Sequence, residues 1–226
     1  MGRKYLMKYI KDEYNKDLLF DENSKYQTMM QWEKPYMNAI IENLSPSGDV
    51  LEIGFGLGYS ANKIQSFNIK SHTIIENDPI VFQVLKDWSL KQKNKVNIIF
   101  GDWQKIVPNL KEKYDSIFFD DAPTNKYNDL EQVRFFLFYY YVFLNNVKIN
   151  TKLSWYLDYP IYWITHPDTN FDIKKINIEI PENANYVPEF SKKNKTLYMP
   201  LITFKNGTTT DILPLFLTKD FRVGFF

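Results

Sequence analysis

The chain has 226 residues, of which 44% are hydrophobic, 17% aromatic and 24% charged, a composition that can bury a sizeable core and excludes intrinsic disorder. A formal net charge of +1 supplies no field for nucleic acid or for an anionic membrane. With no cysteine and only His72 and His166 as imidazoles, disulfides, thiolate metal sites and cysteine nucleophiles are excluded, and no metal site is expected.

The N-terminal stretch MGRKYLMKYIKDEYNK is charged throughout and lacks the apolar core of a signal peptide, and Leu6 stands where a myristoylation signal needs Ser or Thr. The longest apolar run, FFLFYYYVFL at 135–144, is too short to span a bilayer. The expectation is a cytoplasmic protein. Tyr5, Leu6, Tyr9, Ile10 and Leu18 recur at roughly helical intervals, which predicts an amphipathic helix over 4–20. Pro35 precedes YMNAIIENL, a second helix stopped by SPSG at 45–48.

Strands and helices then alternate. VLEIG (50–54), HTIIE (72–76), KVNIIF (95–100), YDSIFF (114–119) and KLSWYL (152–157) read as strands. Between them lie YSANKIQSF, a helix over 129–145, and DPIVFQVLKDWSLK, which opens with Asp78 as cap and Pro79 in the first turn and is expected to bury Ile80, Val84 and Trp88. IKKINIEI, TLYMPLITFK and DILPLFLT read as an antiparallel C-terminal addition. The fold class is α/β: a Rossmann-like, mostly parallel sheet covered on both faces, with antiparallel C-terminal strands and N-terminal helices.

In such sheets a ligand sits beyond the carboxyl ends of the strands, where strand order reverses. That singles out Gly54, Gly56 and Gly58 in DVLEIGFGLGYS, because glycine lets a ligand approach the main chain. A ligand-free turn, a dinucleotide fingerprint and an S-adenosylmethionine loop all fit the glycines alone. Glu76 closes the second strand, where a carboxylate can hold ribose hydroxyls, and this serves NAD equally well. At the end of the third strand, Asp102 can accept from an adenine amine and Trp103 can offer a flat face. Glu52 completes an acidic–x–Gly–x–Gly–x–Gly order typical of S-adenosylmethionine enzymes. Their joint placement favours S-adenosylmethionine. Asp120 ends the fourth strand in FFDDAP, facing the expected methyl group, although a carboxylate there is often only a turn residue. Glu33, in MMQWEKPYM, reads from spacing alone as a solvent-facing charge at a helix start.

At these residues the chain resembles the guanidinoacetate N-methyltransferase family, relatives of which act on arginine within proteins. The family's aromatic–Glu–x–Pro–Tyr–Met block is matched by Trp32, Glu33, Pro35, Tyr36 and Met37, and its later blocks by LEIGFG, IIENDPIVFQVLKDW, GDW and the set Phe119, Asp120 and Pro123. A weaker likeness lies in YMPLIT. The resemblance covers residues 25–125 and implies a class I methyltransferase using S-adenosylmethionine. It implies that Met29, Met37, Glu52, Gly54, Phe55, Gly56, Leu57, Gly58, Tyr59, Ser60, Glu76, Asn77, Asp102, Trp103 and Asp120 surround the cofactor, and that Glu33 and Asp120 grip a guanidinium. The loop that holds the substrate's carboxylate in the family aligns near Leu157, Asp158 and Tyr159, where an aspartate departs from the pattern; LNNVKINT likewise replaces a Gly-rich turn. Residues 1–44 then form a helical segment covering the active site, and 45–226 the methyltransferase domain. The acceptor is a small guanidino compound or an arginine-containing polypeptide. A methyltransferase for another amine, and a non-catalytic protein keeping the fold as a binding surface, are the alternatives.

Overall fold

The computed structural model describes residues 7–121, 129–158, 163–164, 167–208 and 223–224. Pro123, Tyr159, His166 and the expected strand DILPLFLT lie outside the described residues.

The N-terminal segment is a correction. In place of a helix over 4–20, the chain forms β1 (Met7–Lys11), β2 (Asp17–Asp21) and β3 (Tyr26–Met30), an antiparallel three-stranded sheet. Turn chemistry overrides the apparent period. Asp12 Oδ1 accepts the N–H groups of Tyr14 and Lys16 at 2.9 and 2.8 Å, and Asn15 takes a left-handed conformation with φ of 60°. The apolar spacing that looked helical samples two strands and the turn between them. Helix begins only after a 3-10 turn, Gln31–Glu33, at α1 (Lys34–Leu44), where Pro35 sits in the first turn.

The main sheet is built as expected. In chain order it contains β4 (Gly48–Ile53), α2 (Tyr59–Gln65), β5 (Ile69–Glu76), α3 (Pro79–Ser89), β6 (Lys95–Phe100), α4 (Trp103–Ile106), β7 (Tyr114–Phe119), α5 (Asp129–Asn145) and β8 (Val147–Trp155). Then follow β9 (Trp163–Ile164), β10 (Thr169–Asn177), α6 (Glu189–Asn194), β11 (Thr196–Phe204) and β12 (Val223–Gly224), with β9 and β12 paired separately. The seven strands run in the order β10-β11-β8-β7-β4-β5-β6, parallel except that β11 runs antiparallel to both its neighbours. Strand order reverses between β4 and β7, so their carboxyl ends flank the crevice.

Alternation along the strands divides the core in two. Leu51, Ile53, Ile117, Phe119, Leu153 and Trp155 join the aromatic face of α5, whereas Val50, Ile74 and Phe118 pack against α1, α2 and α3. Helix α3 differs from expectation by one residue of phase. Ile80 and Val84 remain 45% and 39% exposed while Val81 and Leu85 are buried, because its cap, Asp78, accepts from Ile80 N and Val81 N and so sets where the first turn faces.

Helix α1 is fixed to the sheet by one hydroxyl. Tyr36, fully buried, accepts the Leu157 N–H at 3.0 Å and donates to the Tyr198 carbonyl at 2.6 Å, joining α1 to the chain just past β8 and to β11. Tyr36→Phe leaves the buried Leu157 N–H without its acceptor, at a cost of about 1–3 kcal/mol. Urea unfolding should show a lower midpoint with an unchanged slope; an unchanged midpoint would mean that the hydroxyl does not brace the fold.

Candidate active site

The crevice is set by a close approach between β4 and β7. Gly54 has φ of +84°, and a Cβ there would lie 2.1 Å from the Asp120 carbonyl oxygen. Only glycine lets the two strand ends meet. Gly54 N–H donates to Ile75 O at 2.9 Å and Asp120 N–H to Ile53 O at 3.0 Å, so the glycine loop and Asp120 share one rigid frame. Beyond it, Gly56 (φ +53°) leaves room for Met29, whose Sδ would be 2.7 Å from an added Cβ and accepts the Leu57 N–H at 3.2 Å. Gly58 leads into α2, where Tyr59 is half-buried and Ser60 buried. The Tyr9 hydroxyl donates to Gly56 O at 2.9 Å, so strands β1 and β3 both lie over the loop.

Glu76, the expected ribose acceptor, is tied to the main chain at the end of β5. Its carboxylate takes the N–H groups of Phe55 (3.0 Å), Asn77 (2.8 Å) and Asp78 (2.8 Å), tying the glycine loop to the start of α3. Burial pushes its pKa up to about 7 in spite of those bonds. Asn77 and Asp102 are half-buried, and Asp102 caps α4 by accepting from Gln104 N–H at 3.0 Å.

Several expected cofactor residues are enclosed. Trp103 is a core residue, 2% exposed, set edge-on to Phe119 and Phe138. Helix α4 turns the indole toward the aromatic face of α5, which replaces the flat surface expected for a base. Glu52 is fully buried, with its carboxylate 2.9 Å from His72 Nε2. Met37 is fully buried within α1, and Met29 nearly so.

Glu33 is the larger surprise against its spacing. It is 2% exposed, and its Oε1 accepts both the Met30 N–H and the Tyr186 hydroxyl at 2.6 Å. The first bond reaches back across the 3-10 turn and aims the carboxyl inward. Burial raises its pKa to about 7. Asp120 stands well above the usual carboxylate range, first because of burial and then because of the negative fields of Glu33, Glu52, Asp121 and Glu76. Among the described residues no donor meets its side chain. Asp121 instead binds Arg134 Nε at 2.5 Å. Asp158 is buried, and its field, with those of Asp120 and Glu33, bears on the Tyr36 phenol.

The fold thus gathers Glu33, Asp120 and Asp158 around Tyr36, from the 3-10 turn before α1, the end of β7 and the loop after β8. Tyr9 and Tyr186 are site residues that sequence reasoning missed. Tyr9 was absorbed into a supposed helix, and Tyr186 lies in the irregular PENANYVPEF stretch, where no periodicity marks it. The assembled groups hold more acid than can ionise together, which suits a cationic ligand with planar N–H donors.

A family model described as guanidinoacetate N-methyltransferase matches residues 10–151. The chain is 36% identical over 127 residues to protein arginine N-methyltransferase 2 of Candida glabrata, covering 52% of this chain and 31% of that protein. It is 34% identical over 118 residues to the Saccharomyces cerevisiae protein of the same name, covering 48% and 29%. The aligned part therefore spans less than a third of the length of these relatives. Among solved structures, an O-methyltransferase from Bacillus cereus in complex with SAH superposes with a TM-score of 0.50 at 11% identity, covering 78% of this chain and 82% of that one; this likeness concerns the fold.

The raised carboxyls make stability depend on pH in a defined direction. Glu33 and Glu76 hold protons up to about pH 7 when folded, against an ordinary value of 4.5. The folded state therefore binds more protons between those values, and stability present below 4.5 is lost as pH rises to 7, by up to about 3 kcal/mol per group. The ligand-free protein should melt at a lower temperature at pH 8 than at pH 5, and Glu33→Gln should flatten that slope. A melting temperature that rises across this interval would contradict the assignment.

Proposed function

The chain belongs to the guanidinoacetate N-methyltransferase family, and from that premise we propose that it transfers a methyl group from S-adenosylmethionine to a guanidino nitrogen. The observation that carries the reading is the carboxyl cluster at the switch point, where Asp120 sits in the fields of Glu33, Glu52, Asp121 and Glu76. The cluster fits both cations of such a reaction, a sulfonium and a guanidinium. The loop over 54–58 suits the cofactor by its backbone, since Gly54, Gly56 and Gly58 all take positive φ and place no side chain between the main chain and a ligand. The residues proposed to hold it are Met29, Met37, the loop from Gly54 to Ser60, Glu76, Asn77, Asp102 and Asp120, with Glu52 and Trp103 supporting it from beneath. When bound, S-adenosylmethionine supplies an electrophilic methyl group.

The protein's own residues do the rest. A guanidinium is planar, rich in N–H and protonated up to pH 12 or so, with no lone pair free for attack. Glu33 Oε2 and the two oxygens of Asp120 clamp that plane and aim one nitrogen, converting encounter into alignment. As nitrogen takes the methyl group it loses a proton. Asp120 is the group assigned to accept it: it gives up its own proton when the two cations bind beside it and takes one back as the nitrogen releases it, while Glu33 is held by two donors. Keeping bulk water from the reacting nitrogen falls to the covering strands, held over the loop by Tyr9 and Met29.

Asp158 supports a choice between acceptors. A carboxylate buried beside Tyr36 and Tyr156 opposes a substrate with its own carboxylate by about 1 kcal/mol in water and several in a closed site. An arginine side chain, whose carboxyl is tied in a peptide bond, avoids that repulsion, and the relatives named protein arginine N-methyltransferase 2 support it.

Two measurements test this. Glu33→Gln and Asp120→Asn should each reduce turnover by a hundredfold or more, about 3 kcal/mol of transition-state stabilisation, while S-adenosylhomocysteine affinity in Glu33→Gln stays unchanged. Full activity in the Glu33 variant would return that residue to a structural role. Specificity constants should rank an arginine peptide and ethylguanidine above guanidinoacetate, with Asp158→Asn narrowing the gap; a preference for guanidinoacetate that survives the substitution would defeat the argument from Asp158.

A further inference from the structure

Tyr156 lies beyond the family match, which ends at residue 151, and no role was expected of it from the sequence. Its place follows from the sheet. Phe119 of β7 pairs in register with Trp155 of β8, and the Tyr156 N–H donates to Phe119 O at 3.2 Å. Phe119 and Trp155 both point to the α5 face. Alternation therefore sends the next residue of each strand, Asp120 and Tyr156, to the opposite face beside α1. Tyr156 packs there against the cluster containing Tyr36, and the two rings meet edge-on at 5.4 Å.

The phenol oxygen is buried, and among the described residues it has no hydrogen-bond partner. It lies in the fields of Asp158, Glu33, Tyr186 and Tyr36, so it is surrounded by the groups of the candidate site. A buried hydroxyl left without a partner is uncommon and costs stability, whereas phenylalanine would fill the same space without that cost. Packing alone gives no reason for the oxygen.

We propose that the Tyr156 hydroxyl is a third contact for the acceptor guanidinium, alongside Glu33 and Asp120; the proposal rests on the reading that this site methylates guanidines. A singly substituted guanidinium carries five N–H donors. Glu33 Oε1 is already occupied by Met30 N–H and the Tyr186 hydroxyl, so the two acids offer three oxygens to the substrate. The Tyr156 oxygen supplies a fourth acceptor in the adjoining strand position. Its high proton affinity, caused by burial and then by Asp158 and Glu33, keeps it a neutral hydroxyl that accepts an N–H with one face and can donate to a carboxylate with the other.

Calorimetry with S-adenosylhomocysteine bound, using ethylguanidine and an arginine-containing peptide as probes, tests this in the native protein and in Tyr156→Phe. The variant should bind both probes at least tenfold more weakly and raise KM more than it lowers kcat. S-adenosylhomocysteine affinity should be unchanged, and the ligand-free melting temperature equal or higher. Equal probe affinity in the two proteins would overturn the assignment of Tyr156 alone. So would a lowered melting temperature with parallel loss of S-adenosylhomocysteine binding, which would mark a structural role. A native protein that binds S-adenosylhomocysteine but neither guanidine would overturn the functional reading and the Tyr156 contact with it.

Discussion

Crowding of carboxyl groups at the carboxyl ends of β4, β5 and β7 is the constraint to which the rest of the molecule answers. Unit charges about 4 Å apart interact by roughly 4 kcal/mol at the effective dielectric of a partly buried site. Acids that approach so closely cannot all ionise without a cation among them. Burial is the first cause of the raised pKa values of Glu33, Glu76 and Asp120, and at Asp120 the fields of Glu33, Glu52, Asp121 and Glu76 add to it. What the fold must provide is fixed geometry whatever the charge. Glu76 is pinned by three main-chain N–H groups and Glu33 by two donors. Asp120 is placed by its strand end and by the Gly54 contact. The arrival of a positive ligand then changes protonation, not position, which is the condition for electrostatic preorganisation.

Two segments far apart in the chain contribute to roofing this cluster. From the N-terminal side, Tyr9 and Met29 engage the main chain at Gly56 and Leu57. From the other side, Tyr186 reaches Glu33, and Ala184 and Val187 pack with Leu18 and Met30. The two covers are sewn together by Gln27, whose side chain donates to Asn183 O and accepts from Asn185 N–H, each at 2.8 Å. Glu33 thus owes its burial to residues about 150 positions away in sequence, and its proton affinity reports whether that seam is closed.

The sheet was legible in the sequence because parallel strands buried on both faces read as apolar runs, and the glycine and Asp78 signals mark the turns between them. The N-terminal strands were not legible as such. Apolar residues of two short strands, separated by a turn, fell by chance on helical intervals, and the decisive signals were Asp12 and Asn15, which act through turn geometry. Trp103 shows a different limit. Its position at a strand end was read correctly, but side-chain direction depended on α4, a helix of four residues with little sequence signature. Glu33 and Tyr186 show the same limit over longer range, since a pair formed across the chain leaves no local pattern.

The acids of the site differ in how far the main chain supports them, and this sorts their roles. Glu33 stands at the start of α1, where the helix dipole and the Met30 N–H favour the ionised form and partly offset burial. Asp120 has neither aid among the described residues and faces four negative neighbours. In a coupled cluster the protons belong to the group as a whole, yet the gradient of support runs one way: charge settles more readily on Glu33, and a proton more readily on Asp120. A clamp needs an acid that is already charged when the substrate arrives, and a proton acceptor needs one whose affinity rises as the nitrogen's falls. Two carboxyls of similar intrinsic strength are pushed toward those separate tasks by one helix end and one strand end.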